Sequence, residues 1–454
     1  MRAHERDAPW WARAAEWNAA GLLLAYAVML FAHGAPPSLT DYANWTYQGV
    51  LLHRHMLGLP DATHDLKTYP VPNSAATVAI GLLTIAMPWM IAAKTWLCVQ
   101  LLLSFVALRH LLRTTGGSAA LWVIVPPVVF LNVNFWYGFM NFELGICWVM
   151  LTASILLRRE REEQGGPAHD LVLGVVLLLA FFTHMIPFFF AALLVLLYAV
   201  QTRRYRVLWQ IVPAGVASVW YLAGRYLLAG NADGQAGMVS TVRSYSAAFW
   251  AYKVNSYLKS FGFINPGSPS GSEEITLFGR AVFVALLGVN LALCAALGWS
   301  MARAARTAFR ERASERFLWI GVLTMLPLYL LAPGTALGIS DPGSRVLQVA
   351  LALALVLCGR GGGRLRLAGV CATVLGMTGM LLFARLGFER DAAVSDGRPL
   401  PHAAVIFAHV PNHDQDLFYG ALDRGEMDLP VFPTGMFLNQ SKEPSPQLRD
   451  GSRR

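Results

Sequence analysis

The sequence predicts an all-α polytopic membrane protein with about eleven transmembrane helices. Three observations predict it. Hydrophobic residues make up 56% of the 454-residue chain and charged residues only 14%, outside the range of soluble domains. Apolar runs of helix length recur from near the N-terminus to residue 387. Arginines cluster in short segments between those runs, as they do in cytoplasmic loops. The net charge of +9 is thus carried at membrane loops and gives no sign of a nucleic-acid partner.

The elements follow in order. Run 19–34 comes after a polar segment with Glu5, Asp7 and Glu16. Ala32-His33-Gly34-Ala35 loosely resembles a signal-peptide cleavage site, but Pro36 follows at once, so the segment reads as an uncleaved anchor. A loop over 36–72 comes next, far longer than most of the others, and long ordered loops tend to carry function. Further runs cover 73–92, 93–110, 118–134, 141–157, 171–184, 186–200, 207–228, 276–298, 317–337, 345–359 and 365–387. The pair 171–184 and 186–200 has basic loops on both flanks, which calls for two helices with a tight turn at His184-Met185-Ile186-Pro187.

Basic clusters at 109–113, 158–161, 203–206, 303–312 and 360–366 mark the cytoplasmic side, and Arg2, Arg6 and Arg13 favour an interior N-terminus. If every run crossed, these assignments would conflict. Run 73–92 follows two prolines and contains Pro88, so it is the one expected not to cross. The remaining count is about eleven crossings. The N-terminus is then cytoplasmic, and the long loop and the C-terminal tail are external, in a plasma (inner) membrane. The expected organisation is a membrane domain over 1–387, with external loop and juxtamembrane helices at 36–92 and a second external loop at 229–275. In that second loop Trp250, Tyr252 and Tyr257 recur at helical spacing, which suits an interfacial helix. A small external tail, 388–454, ends in a stretch from Ser441 that reads as disordered. All five cysteines fall in apolar runs, so neither disulfides nor thiol metal ligands are expected.

With this topology the unusual polar residues gather on the outer face. Asp41, His64, Asp65, Lys67 and Tyr69 lie in the first loop, and Asn134, Asn141 and Glu143 flank the turn Phe135-Trp136-Tyr137-Gly138-Phe139-Met140. His184 sits at the next outer turn, Arg225 near a helix end, and Asp341 and Arg345 at a later turn. Ionisable groups at a bilayer are costly and suggest a functional site. Each also has a structural reading. Asp41 suits a helix cap as well as a base, Lys67 suits a headgroup contact, and Arg345 suits a pair with Asp341. His402 and the His413-Asp414-Gln415-Asp416 spacing are too common to define a metal site. Together the groups suit glycosyl transfer from a lipid phosphate: a carboxylate for the acceptor hydroxyl, cations for the departing phosphate, and Trp45, Trp136 and Tyr137 as stacking surfaces. No phosphate-cradling P-loop or hydrolase triad is present.

Three local patterns resemble the GT-C superfamily of polytopic glycosyltransferases. Leu39-Thr40-Asp41-Tyr42 is similar to the early acidic motif of its first external loop. Tyr69-Pro70-Val71-Pro72 is similar to the Tyr-Pro-Pro element that opens a juxtamembrane helix, with Val71 in place of the second proline. Gly138-Phe139-Met140-Asn141-Phe142-Glu143 is similar to a Gly-Phe-x-Asn-Phe turn before a helix. The resemblance covers about residues 41–345. It implies Asp41 as catalytic base, Glu143 as the second acidic site of the catalytic pair, and Arg345 on the donor phosphate; with the outer-face residues Lys67, Tyr69, Asn141, His184 and Asp341, Arg345 makes up the expected substrate-binding set. The implied partners are a polyprenyl-phosphate sugar donor, a lipid or glycan acceptor and membrane lipids. No cofactor is certain, and the chemistry admits a divalent metal. The rival readings are a transporter or flippase and a non-enzymatic subunit of envelope assembly. Midplane charges in two repeated halves would mark the transporter, but no internal repeat is evident.

Overall fold

The computed structural model describes residues 10–37, 39–59, 63–161, 166–225, 247–259, 277–311, 314–333, 335–336, 339–340, 342–358, 363–397, 404–405, 408–409, 413–431 and 435–439. Among these the protein is a helical bundle, in which α1 (Trp10–Ala32) precedes α2 (Thr40–Met56) and α3 (Ala75–Leu83). There follow α4 (Trp89–Thr115), α5 (Ala119–Val125) running into a π turn over Pro126–Phe130, α6 (Val133–Trp136), α7 (Met140–Arg161), α8 (Pro167–Thr183) and α9 (Met185–Thr202). A 3-10 turn over Tyr205–Ile211 leads to α10 (Val212–Ala223), then α11 (Ala247–Lys259), α12 (Leu277–Arg310), α13 (Arg316–Leu331), α14 (Pro342–Leu357), α15 (Gly363–Ser395) and α16 (His413–Arg424). Strands are confined to short antiparallel pairs.

Local chemistry sets several boundaries. Gly116, at φ +68°, closes α4 in the left-handed conformation, and Ser118 caps α5 by accepting from the Ala120 amide at 3.3 Å. Pro126 and Pro127 lack amide protons, so the α ladder widens there, with Leu131 N donating to Pro126 O at 3.0 Å. Run 73–92 is not one helix. It contains nine-residue α3, a turn over 84–87, and Pro88 leading into α4, which absorbs 89–92 and continues to Thr115. Pro88 cannot donate within a continuing helix, which explains the break. Runs 171–184 and 186–200 are two helices hinged at His184 in extended backbone (φ −169°, ψ 137°).

Among the described residues five helices are long and apolar enough to cross a membrane: 13–32, 89–115, 140–161, 185–202 and 284–310. Shorter apolar helices, such as Pro342–Leu357 with 16 residues, reach only about 24 Å against a hydrocarbon core of about 30 Å. Helix α7 is the most enclosed of the five, packed by α4, α8 and α9. Leu24, Val28, Leu102, Val106, Leu171, Val219 and Met377 stand exposed on outer helix faces. That apolar surface is what a bilayer would cover.

Two ends of the bundle differ in chemistry. At one end arginines bind across helix termini. Arg109 pairs with Glu16 at 2.5 Å, Arg158 meets His110 at 3.2 Å, and Arg159 pairs with Asp170. Arg204 donates to Arg159 O at 3.2 Å, and Arg161 lies 3.8 Å from Glu315. The opposite end holds the termini that carry Asp41, Asn141, Glu143, His184 and Arg345.

The tail does not stand apart. Helix α16 packs on α2 around Ala43, Tyr47, Leu51, Phe418, Tyr419 and Leu422. Strand β1 (His64–Leu66) pairs antiparallel with β2 (Phe437–Asn439), His64 opposite Asn439. The small tail, which lacks the apolar surface for a core of its own, shares one with α2.

Candidate functional site

The site begins with the first turn of α2. Leu39 holds its N-cap position without a side-chain cap, so Asp41 lies inside the first turn, where the helix dipole favours a carboxylate. Asp41 is half-buried, and its amide donates to Tyr137 O at 3.0 Å. Gly138 adopts φ +78°, and a Cβ there would lie 2.6 Å from the Tyr42 amide. Only glycine satisfies both the left-handed backbone and that approach. The turn before α7 is therefore seated directly on the Asp41 helix.

The first turn of α7 carries the next two residues. Asn141 Oδ1 accepts from Ala76 N at 2.8 Å and its Nδ2 donates to Asn73 O at 2.8 Å, which ties α7 to the start of α3. Glu143 is 1% exposed. Its Oε1 accepts from Gln348 Nε2 at 3.3 Å, while buried Oε2 has no hydrogen-bond partner among the described residues. Gln348 Oε1 in turn accepts from Asn134 Nδ2, so a chain of amides reaches the carboxyl from α14 and the α6 turn. Such an unmatched buried acceptor is expensive and uncommon.

One turn before Gln348, Arg345 lies buried with its guanidinium 4.2 Å from the Phe139 ring centre and 5.9 Å from that of Phe142. Its Nη1 is 3.0 Å from His184 Nε2, and His184 Nδ1 accepts from Ile186 N at 3.1 Å. A neutral imidazole offers one acceptor nitrogen, yet both neighbours are donors. In either tautomer one N–H therefore faces another.

The remaining expected residues lie elsewhere. Lys67 donates to Gly435 O at 3.0 Å, and Tyr69 packs with Tyr221 and against Gly224. His64 Nε2 is 2.7 Å from Leu429 O, so this histidine serves the tail interface. Trp45 is buried, and Tyr137 stacks on Phe139 at 5.6 Å. Asp341 and His402 fall outside the described residues, as do the side chains of Trp136, His413, Asp414 and Asp416. The structure thus ties Asp41 through its backbone, and His184 and Arg345 through their packing, to the turn and first turn of α7 that carry Glu143, binds Asn141 to the start of α3, and places Lys67 and Tyr69 at packing interfaces.

Sequence reasoning passed over Gln348 and Lys253. Gln348 is a lone polar residue in the apolar stretch 346–358, an available signal; Lys253 stands near Asn255, Ser256 and Lys259 and gives no such signal. Among the described residues no group of three His, Cys, Asp or Glu comes together to hold a metal. Comparisons with protein-family models, curated proteins and solved structures find no match.

Proposed function

We propose that the protein is a membrane glycosyltransferase of the GT-C type, moving a sugar from a polyprenyl-phosphate donor to an acceptor at the outer face of the plasma membrane. One observation carries the reading. The turn bound to Asp41 leads directly into the helix of Glu143, and Arg345 and His184 pack on that same turn and helix. A half-buried carboxylate, a buried acid and a cation are thereby attached to one turn and the helix that follows it, at the end opposite the arginine clusters. In this reading α1, α4, α5 with its π turn, α7–α10 and α12–α15 are the crossings, about eleven in all. Helices α2 and α3 lie at the outer surface. The short crossings sit in a locally thinned bilayer or use flanking turns to complete their span.

The acceptor hydroxyl attacks the anomeric carbon while the Asp41 carboxylate takes its proton. The bond from that carbon to the phosphate oxygen breaks, and polyprenyl phosphate leaves with the electron pair. Arg345 compensates the charge gathering on the phosphate. Glu143, held by Gln348, orients the reacting end of the donor. No step is routed through a metal.

The test is donor consumption by the full chain in vesicles supplied with labelled polyprenyl-phosphate sugar. Asp41→Asn is expected to lower turnover by about 10²–10⁴-fold, the range of a general base. Full activity in both Asp41→Asn and Glu143→Gln defeats the proposal. One observation favours the transporter reading instead, namely the buried Glu143 carboxyl within α7. Ion or solute flux that depends on Glu143, without donor consumption, decides for it.

A further inference from the structure

The bend between α1 and α2 is gripped by two charged side chains that the proposed chemistry above does not use. Lys94, in the second turn of α4, is 2% exposed, and its ammonium donates to the His33 carbonyl. Asp391, near the end of α15, accepts from the Ala35 amide at 2.6 Å through Oδ1. Its Oδ2 lies 3.4 Å from His33 Nδ1, and the same carboxylate attracts the Lys94 ammonium. The buried His33 ring stands edge-to-face with Phe388 of α15 at 4.6 Å. Side chains of α4 and α15 thus converge on residues 33–35.

The same turn of α4 holds the far side of the bend. Tyr42, fully buried, donates from Oη to the Ala93 carbonyl at 2.7 Å. Ala93 and Lys94 are consecutive, so one point on a long helix fixes both His33 and the residue after Asp41. Between those two anchors Pro36 and Pro37 restrict the backbone, and Leu39 N closes a turn onto Pro37 O at 2.9 Å. The Asp41 amide then meets Tyr137 O at 3.0 Å. Burying an ammonium is expensive, and apolar packing would join the helices at lower cost. What the charges add is direction. Each is aimed at a backbone group of the bend, His33 O or Ala35 N, and charge-assisted bonds of this kind are about twice as strong as neutral ones.

From this arrangement we propose that Lys94 and Asp391 are positioning residues, which lock the bend so that the first turn of α2 presents Asp41 against the Gly138 turn. The proposal rests on the glycosyltransferase reading for the reaction that Asp41 serves, and it adds the groups that set the base in place. Both act through the backbone, Lys94 at His33 and Asp391 at Ala35. Loss of either charge leaves α1 and α4 joined by their apolar faces and frees residues 33–41 to shift. A displacement of about 1 Å at a catalytic group costs about 10²-fold in rate.

The test compares the full-length wild type with three variants in nanodiscs. Asp391→Asn keeps an acceptor for the Ala35 amide and loses the charge, Lys94→Gln keeps a donor for the His33 carbonyl, and Tyr42→Phe removes one hydrogen bond with little change of volume. In those that retain the wild-type unfolding midpoint, kcat for donor consumption should fall about tenfold or more while KM stays within about twofold. Lys94→Arg, which keeps the cation, should recover most of the loss. A second readout needs no activity. In a background free of native cysteines, an Asp41→Cys probe should react with a water-soluble maleimide several-fold faster once Asp391→Asn is added, while a Leu57→Cys probe at the far end of α2 keeps its rate. Unchanged kcat in the folded variants overturns the positioning role, as does unchanged labelling at position 41. Faster labelling at both positions, or failure of all three variants to fold, makes the contacts merely structural and overturns it too. A wild type that consumes no donor, with labelling at position 41 still governed by Asp391, defeats the transferase reading and leaves the lock on the bend standing.

Discussion

At the residue scale, the functional reading turns on which polar groups are already committed. Asn141 resembled a substrate contact in the sequence, yet both ends of its amide are occupied by Ala76 N and Asn73 O. It is a strut between α7 and α3. Asn141→Ala is expected to lower stability by about 0.5–2 kcal/mol, as loss of a helix-start acceptor does, and chemical denaturation of the purified protein checks it. A binding role would instead raise the donor KM with stability unchanged. Glu143 differs from Asn141 because one of its oxygens accepts from no donor among the described residues. Two positions of one motif, separated by a single residue, thus have opposite meanings. Sequence pattern cannot separate them, because the partners are 65 and 205 residues away in the chain.

At the element scale, α2 is fastened from both sides: the turn at Gly138 holds its start, and the tail holds its flank. Gln48 Oε1 accepts from Met436 N at 3.1 Å, and a Cβ at position 435 would overlap the Gln48 amide. Gly435→Val is therefore expected to release β2 from β1 while the membrane helices stay folded. Limited proteolysis reports it: cleavage within 413–439 should accelerate several-fold, with the core fragment intact. Unchanged cleavage would mean that the apolar contacts of α16 alone hold the tail. The broken run 73–92 belongs to this scale as well. Its two prolines and Pro88 were legible signals, because proline acts locally on the helix ladder.

For the whole molecule, the division between an arginine end and a carboxylate end predicts an orientation. In a background free of native cysteines, Leu57→Cys at the exposed end of α2 and Tyr205→Cys beside the basic turn sit at opposite ends. An impermeant maleimide applied to intact cells should label position 57 at once and position 205 only after permeabilisation. The reverse pattern would put the candidate site in the cytoplasm, where a donor presented at the outer face does not reach it. Basic loops could be grouped from sequence because retention of arginine on one side is a property of composition.

Composition and periodicity by themselves determined the helical membrane class, the approximate helix ends, the interrupted run before α4 and the hinge at His184. Each depends on a residue's local preference for helix, turn or lipid, so neighbours in the chain suffice. Tertiary structure decided the rest: Gln348 beside Glu143, the grip of Lys94 and Asp391 on the bend before α2, the donor conflict at His184 and the tail locked to α2. Those are contacts between segments far apart in sequence, set by packing. In the sequence Gln348 is only a polar group within an apolar stretch; the packed bundle shows what it meets there.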